Sequence, residues 1–205
     1  MKIKKSKLLY LISAVLILSI LSTALIFSSC KNNGDGRESF SPESGAYEIT
    51  LTPGEWTTMT GLTQNSDNLS LVHIQSGALF NTDCYNKSAT SGLGITDLNG
   101  FIDYYKALDI SGNPYKAGTD ISIGDLTDIN KSDFKGSVAT LGKSQTITAK
   151  YNENGTENTI DVTTNVIYLE GKTHYFIVYY SVTADKLQSA QTGAKELISH
   201  ITTEK

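Results

Sequence analysis

Hydrophobic and polar positions divide the chain into three unequal stretches. Leu8 to Ser29 is uncharged and mostly apolar. Lys31 to Gly45 (KNNGDGRESFSPESG) is polar and has no apolar period, the composition of a flexible tether. From Ala46 onward the pattern becomes periodic. Tyr47, Ile49 and Leu51 alternate with Glu48 and Thr50, which predicts a half-buried strand ended by Pro53-Gly54. Leu69 to Ile74 predicts a second strand with less clean sides, and Ala78 to Asn86 a third, weakly signalled one. Leu98, Phe101, Ile102 and Tyr105 fall at helical spacing behind Thr96, an N-cap, and Asp97, which suits the positive helix end. Ser111-Gly112-Asn113-Pro114 closes that helix.

Ser144–Tyr151, Thr159–Leu169 and Thr173–Val182 then read as an antiparallel meander turning at Asn154-Gly155 and Glu170-Gly171-Lys172. In the last of these strands Tyr175, Ile177 and Tyr179 face one way, and Phe176, Val178, Tyr180 and Val182 the other. A sheet open to water on one face alternates apolar with polar, so both faces of this one are covered. A C-terminal helix capped by Thr183, with Leu187, Ala190, Ala194, Leu197, Ile198 and Ile201 as its stripe, supplies one cover. The Thr96 helix supplies the other. The predicted class is α+β: an α/β/α layered domain with a mainly antiparallel sheet flanked by helices.

The first stretch changes where this domain is placed. Lys2, Lys4, Lys5 and Lys7 precede the apolar run, and no acid occurs before Asp35. A basic start, an apolar run and small residues form an export signal. Its end, Leu25-Ile26-Phe27-Ser28-Ser29-Cys30, resembles a bacterial lipobox. The resemblance implies that Cys30 receives a diacylglyceryl group and becomes the first residue of the mature chain. Phe27, where such motifs more often carry an aliphatic residue, is a departure. The competing reading is an uncleaved signal anchor, since the 20 residues from Leu8 to Phe27 span roughly 30 Å as a helix. Both readings put the chain after Cys30 on the extracytoplasmic face. The expected division is residues 1–29 as signal peptide, 30–45 as lipidated cysteine and tether, and 46–205 as the folded domain. A tether of that length reaches roughly 20 Å.

Composition sharpens this picture. The 205 residues carry 17 basic and 21 acidic side chains, a formal net charge of −4. Removal of residues 1–29 takes away four lysines and no acid, leaving 13 basic side chains against 21 acidic ones, or −8. That charge excludes nucleic acid as a partner, because phosphate binding needs a basic footprint. There are two cysteines. With Cys30 lipidated, Cys84 is a lone thiol with one neighbouring cation (Lys87) and no helix start to activate it.

No complete catalytic set is visible. His73, His174 and His200 lack ligand-type partners at metal-motif spacing. Gly142-Lys143-Ser144 is not a nucleophile elbow, and Gly92-Leu93-Gly94 lacks a third glycine at dinucleotide-loop spacing. Asp120, Asp125, Asp128 and Asp133, with Gly124, form a loose acidic group that reads as solvated acids at strand ends or, less conventionally, as oxygen donors for calcium. Trp56, the single tryptophan, reads as a core anchor or as an exposed aromatic that meets a ligand or partner. Trp56, Asp125 and Asp128 are therefore the candidate contact residues. The tyrosines, Tyr104, Tyr105, Tyr175 and Tyr179 among them, read as packing rings, with a sugar-binding shelf as the functional alternative.

The opening Tyr47-Glu48-Ile49-Thr50-Leu51-Thr52-Pro53-Gly54-Glu55-Trp56, the Thr96 helix, the meander, the aromatic strand Tyr175-Phe176-Ile177-Val178-Tyr179 and the closing helix together resemble the PsbP-like superfamily. The resemblance spans roughly Tyr47 to Thr203 and implies the layered fold and a non-enzymatic binding or assembly role at the cell envelope. It implies no cofactor, and no family metal ligand matches a position here. The partners expected are the membrane, through the lipid, and an envelope protein. The alternatives are a small-ligand or cation-binding lipoprotein and a cell-envelope hydrolase.

Overall fold

A computed structural model of the chain describes residues 31–32, 36–58, 67–112, 119–152 and 159–204. The expected export signal with Cys30, and the expected Asn154-Gly155 turn, lie outside the described residues.

The larger sheet has eight strands: β4 (Trp56–Thr58), β5 (Asn68–His73), β6 (Ala78–Asn86), β7 (Thr119–Ile123), β8 (Thr127–Asp128), β9 (Leu141–Asn152), β10 (Thr159–Glu170) and β11 (His174–Thr183). Their spatial order is β4-β5-β6-β11-β10-β9-β7, with β8 also paired to β9. Every pair is antiparallel. The meander β9–β10–β11 forms its centre, as the two-sided apolar pattern of β11 requires.

A second, four-stranded sheet has the order β1 (Lys31–Asn32), β2 (Glu38–Phe40), β3 (Tyr47–Leu51), β12 (Ile201–Glu204). The expected first strand, Tyr47–Leu51, thus exists but belongs to this second sheet. Ile201 is not the last residue of the helical stripe; it opens β12 and pairs with Ile49. The expected tether is shorter than read, because β2 pairs with β3 and Phe40 is buried. Burying one ring gave those few polar residues a reason to order.

Among the described residues the α-helices are the short α1 (Lys87–Ser91) and α2 (Leu98–Gly112), between β6 and β7, and α3 (Leu187–Ser199), between β11 and β12. Asp97, and not Thr96, caps α2, its Oδ1 accepting from the Gly100 N–H at 2.8 Å. Thr183 likewise does not cap α3. A single 3-10 turn (Ala184–Lys186) intervenes, and the Thr183 hydroxyl bonds the Asp185 carboxylate instead.

Two apolar clusters lie on opposite faces of the large sheet. On one face, Tyr168, Tyr175 and Ile177 pack under Leu98, Phe101 and Ile102 of α2. On the other, Phe80, Leu169, Phe176 and Val178 meet Tyr47, Ile49 and Leu51 of the second sheet and Ala194, Leu197 and Ile198 of α3. The α+β class and the layering are as the two-faced strands required, with the second sheet sharing one layer with α3.

The C-terminal strand is tied across the β10–β11 turn. Glu204 accepts from the Lys172 N–H (3.1 Å), the Thr173 N–H (2.7 Å) and the Thr173 hydroxyl (2.9 Å). A Cβ on Gly171 would lie 1.6 Å from Oε1, so a larger residue there would push this carboxylate aside.

Candidate functional site

Trp56 opens β4 beside His73 of β5. It is 2 % exposed, its ring 4.8 Å from that of His73 and 5.2 Å from that of Phe80. Its Nε1 donates to Glu196 Oε2 of α3 at 3.0 Å. The core-anchor reading of Trp56 holds, and the exposed-contact reading is corrected. Glu196 Oε1 meanwhile accepts from the Thr52 N–H at 2.9 Å and from the Thr52 hydroxyl. One carboxylate therefore ties α3 to the start of β4. Burial raises the pKa of Glu196, but the bonds from Thr52 and Trp56, with His200 nearby, outweigh it and hold the group below its ordinary value.

The remaining reactive side chains are also held in packing contacts. His73 is buried, its Nδ1 2.9 Å from the Ser76 hydroxyl, and its ring fills the space over Gly193 of α3. Burial lowers its pKa despite Glu196 and Glu55, so it is neutral at pH 7. Cys84 is a buried free thiol on the core face of β6, pushed up to about 12 by burial and by Asp67, Asp83 and Glu204. A thiol so protonated is a poor nucleophile. His174 is buried, with Nδ1 2.8 Å from the Thr173 hydroxyl.

The acids of the loose group are not brought together. Asp120 lies 3.6 Å from Lys150, Asp128 3.3 Å from Lys143, and Asp133 3.4 Å from Lys195. Asp125 is exposed in the connection between β7 and β8. Among the described residues no three His, Cys, Asp or Glu side chains are grouped to hold a metal ion. The same residues include no helix long and apolar enough to cross a membrane.

Convergent polar and aromatic groups occur elsewhere, on the α2 face of the large sheet toward β5. Cross-strand register sets Asn68, Asp83 and Ile177 in one row of β5, β6 and β11, and Ser70, Asn81 and Tyr179 in the next. Tyr85 follows on β6, its ring 4.3 Å from that of Tyr105 of α2, and the Tyr104 ring lies 5.1 Å beyond. Burial raises the pKa of Asp83, opposed by its bond from Asn68 and aided by Asp67. Sequence reasoning passed over Asn68, Ser70, Asn81 and Asp83. The signal available was the alternation in β6, where Phe80, Thr82 and Cys84 are buried and Asn81, Asp83 and Tyr85 are not.

No protein-family model matches the chain, and no curated protein sequence matches it. Among solved structures it is similar to the cyanobacterial PsbP (CyanoP) of Synechocystis sp. PCC 6803, at 7 % identity over 89 % of this chain and 97 % of that one, with a TM-score of 0.45. It is also similar to the Ran-binding protein Mog1p of Saccharomyces cerevisiae, at 10 % identity over 84 % of this chain and 88 % of that one, with a TM-score of 0.42. A third is LpqN of Mycobacterium tuberculosis, described as involved in cell envelope biogenesis. It is 12 % identical over 83 % of this chain and 86 % of that one, with a TM-score of 0.36.

Proposed function

We propose that the chain is exported, lipidated at Cys30 and held on the extracytoplasmic face of the cell membrane, where its PsbP-like domain binds an envelope protein without catalysis. The observation that carries this reading is the order of the first thirty residues: four lysines, an uncharged run from Leu8 to Ser29, then cysteine. Two acyl chains on one cysteine anchor more firmly than a single chain does. The non-catalytic part is supported by what the reactive groups already do. Glu196 and His73 fasten α3 to β4 and β5, and Cys84 sits protonated in the core. Groups committed to packing in this way are poorly placed for proton transfer or attack.

The test is metabolic labelling with an alkynyl palmitate. The wild-type chain takes up label and fractionates with membranes. Cys30→Ala takes up none and keeps its first 29 residues. Label retained by Cys30→Ala would refute lipidation at this position.

A further inference from the structure

Cys30 is bonded directly to Lys31, the first residue of β1, so no slack separates the expected lipid from the second sheet. Lys31 is opposite Ser39 of β2, and Asn32 opposite Glu38. Consecutive Cα atoms lie about 3.8 Å apart and antiparallel partners about 5 Å, which brings β2 within roughly 10 Å of Cys30. The pairing also sets a direction. Because β1 and β2 are antiparallel, the chain enters β1 at the end where β2 runs out through Phe40 into Ser41.

That end continues across the domain. Tyr47, which opens β3, is opposite Glu204 of β12, and Glu204 holds the Lys172 and Thr173 N–H groups of the β10–β11 turn. Beside the turn, Glu170 is opposite Leu141 of β9, and the Thr173 carbonyl accepts from the Lys87 N–H of α1 at 2.9 Å. Two large apolar side chains are exposed here: Leu141, at 51 %, and Leu93, just after α1, at 55 %. The opposite end carries the exposed Ile74, whose N–H donates to the Glu55 carbonyl at 2.8 Å. β6 runs between the two ends, from Ala78 beside His73 to Asn86 beside His174. Its length separates them by about 27 Å.

These placements set the posture of the domain on a membrane. The headgroup layer of one leaflet is roughly 5–8 Å thick, so an end attached without slack rests against it. Exposed leucines on that end gain by leaving water for the boundary with the acyl chains. Charge does not supply the contact, because the chain after residue 29 is acidic. We propose that the domain stands end-on against the lipid headgroup layer, with Ser41, the β10–β11 turn, Leu93 and Leu141 toward the membrane and Ile74 away from it.

This posture rests on attachment at the front of the chain. It holds for a lipid on Cys30 and for an uncleaved span, which adds only Ser28 and Ser29 to the gap. Palmitate labelling separates those two attachments, and probe position reads the posture under either. Full-length chain extracted from membranes is returned to phosphatidylcholine vesicles in which some headgroups bear a nitroxide. Ser41→Cys, Lys172→Cys and Ile74→Cys, all at exposed positions, each carry a bimane fluorophore. Wild type treated in the same way gives the background from Cys30 and Cys84. The probes at 41 and 172 should each be quenched at least about threefold more than the probe at 74, in high salt as in low. Equal quenching at the three positions, the pattern of a domain turning on a tether, overturns the proposal. So does quenching at 41 without quenching at 172, any smaller difference, or a difference lost in high salt.

Discussion

Replacing Phe80 by alanine lowers the stability of the domain by about 3–5 kcal/mol, read as a shift of the urea midpoint without a change of slope. Phe80 is fully buried near the start of β6, between Leu71 of β5 and Tyr180 of β11. Its ring lies 4.5 Å from that of Tyr180 and 5.2 Å from that of Trp56, the residue that receives α3. Truncation leaves a cavity where the large sheet, β4 and α3 converge. The rings around it sit on three separate strands and cannot collapse together, which puts the cost toward the upper end of such substitutions. Phe80→Leu, which keeps most of the volume, costs under about 1.5 kcal/mol. A Phe80→Ala loss no larger than the leucine loss would mean that this cluster is not the centre of the core.

Glu196→Ala has the second largest effect, about 2–3 kcal/mol. The variant strands the buried Trp56 N–H and breaks the bonds of the exposed Thr52 N–H and hydroxyl, three donors that now share one carboxylate. Glu196→Gln separates the two halves of the contact. Its single oxygen can serve Thr52 or Trp56 but not both, so about half the stabilisation survives. The ionised form carries a pH signature. The folded-state pKa lies below the ordinary value of 4.5, so the contribution is fully present above that value and is lost as the pH falls through the lower, folded one. Wild type should lose stability on acidification through that window, and Glu196→Gln should lose less. Identical acid limbs for the two proteins would show that the carboxylate is not ionised in this contact.

Much of this architecture could be read from local pattern because β9, β10 and β11 are long, and β11 and the Val166–Leu169 part of β10 carry apolar residues on both faces. Tyr175 and Phe176 cannot both be buried unless something covers each side of the sheet, and α2 and the α3 layer do so. What escaped local reading is non-local. Ile201-Thr202-Thr203-Glu204 contains one apolar residue and reads as the end of a helix; its partner Ile49 lies about 150 positions earlier in the chain. Glu38-Ser39-Phe40 reads as tether for the same reason, its one ring becoming buried only once β3 is in place. Trp56 left two readings open until its N–H partner, Glu196, was placed 140 positions away. The polar rows of Asn68, Ser70, Asn81 and Asp83 were visible as alternation in β6, but only the register of β5 on β6 makes them neighbours.

The proposed anchor would set where the domain operates, and the mature N-terminus reports on it directly. Intact-mass and N-terminal peptide analysis of the chain purified from membranes should give a protein that begins at Cys30, with a diacylglyceryl group on its sulfur and no peptide from residues 1–29. Recovery of a chain that retains those residues, with an unmodified Cys30, would contradict the account and leave the signal anchor in its place.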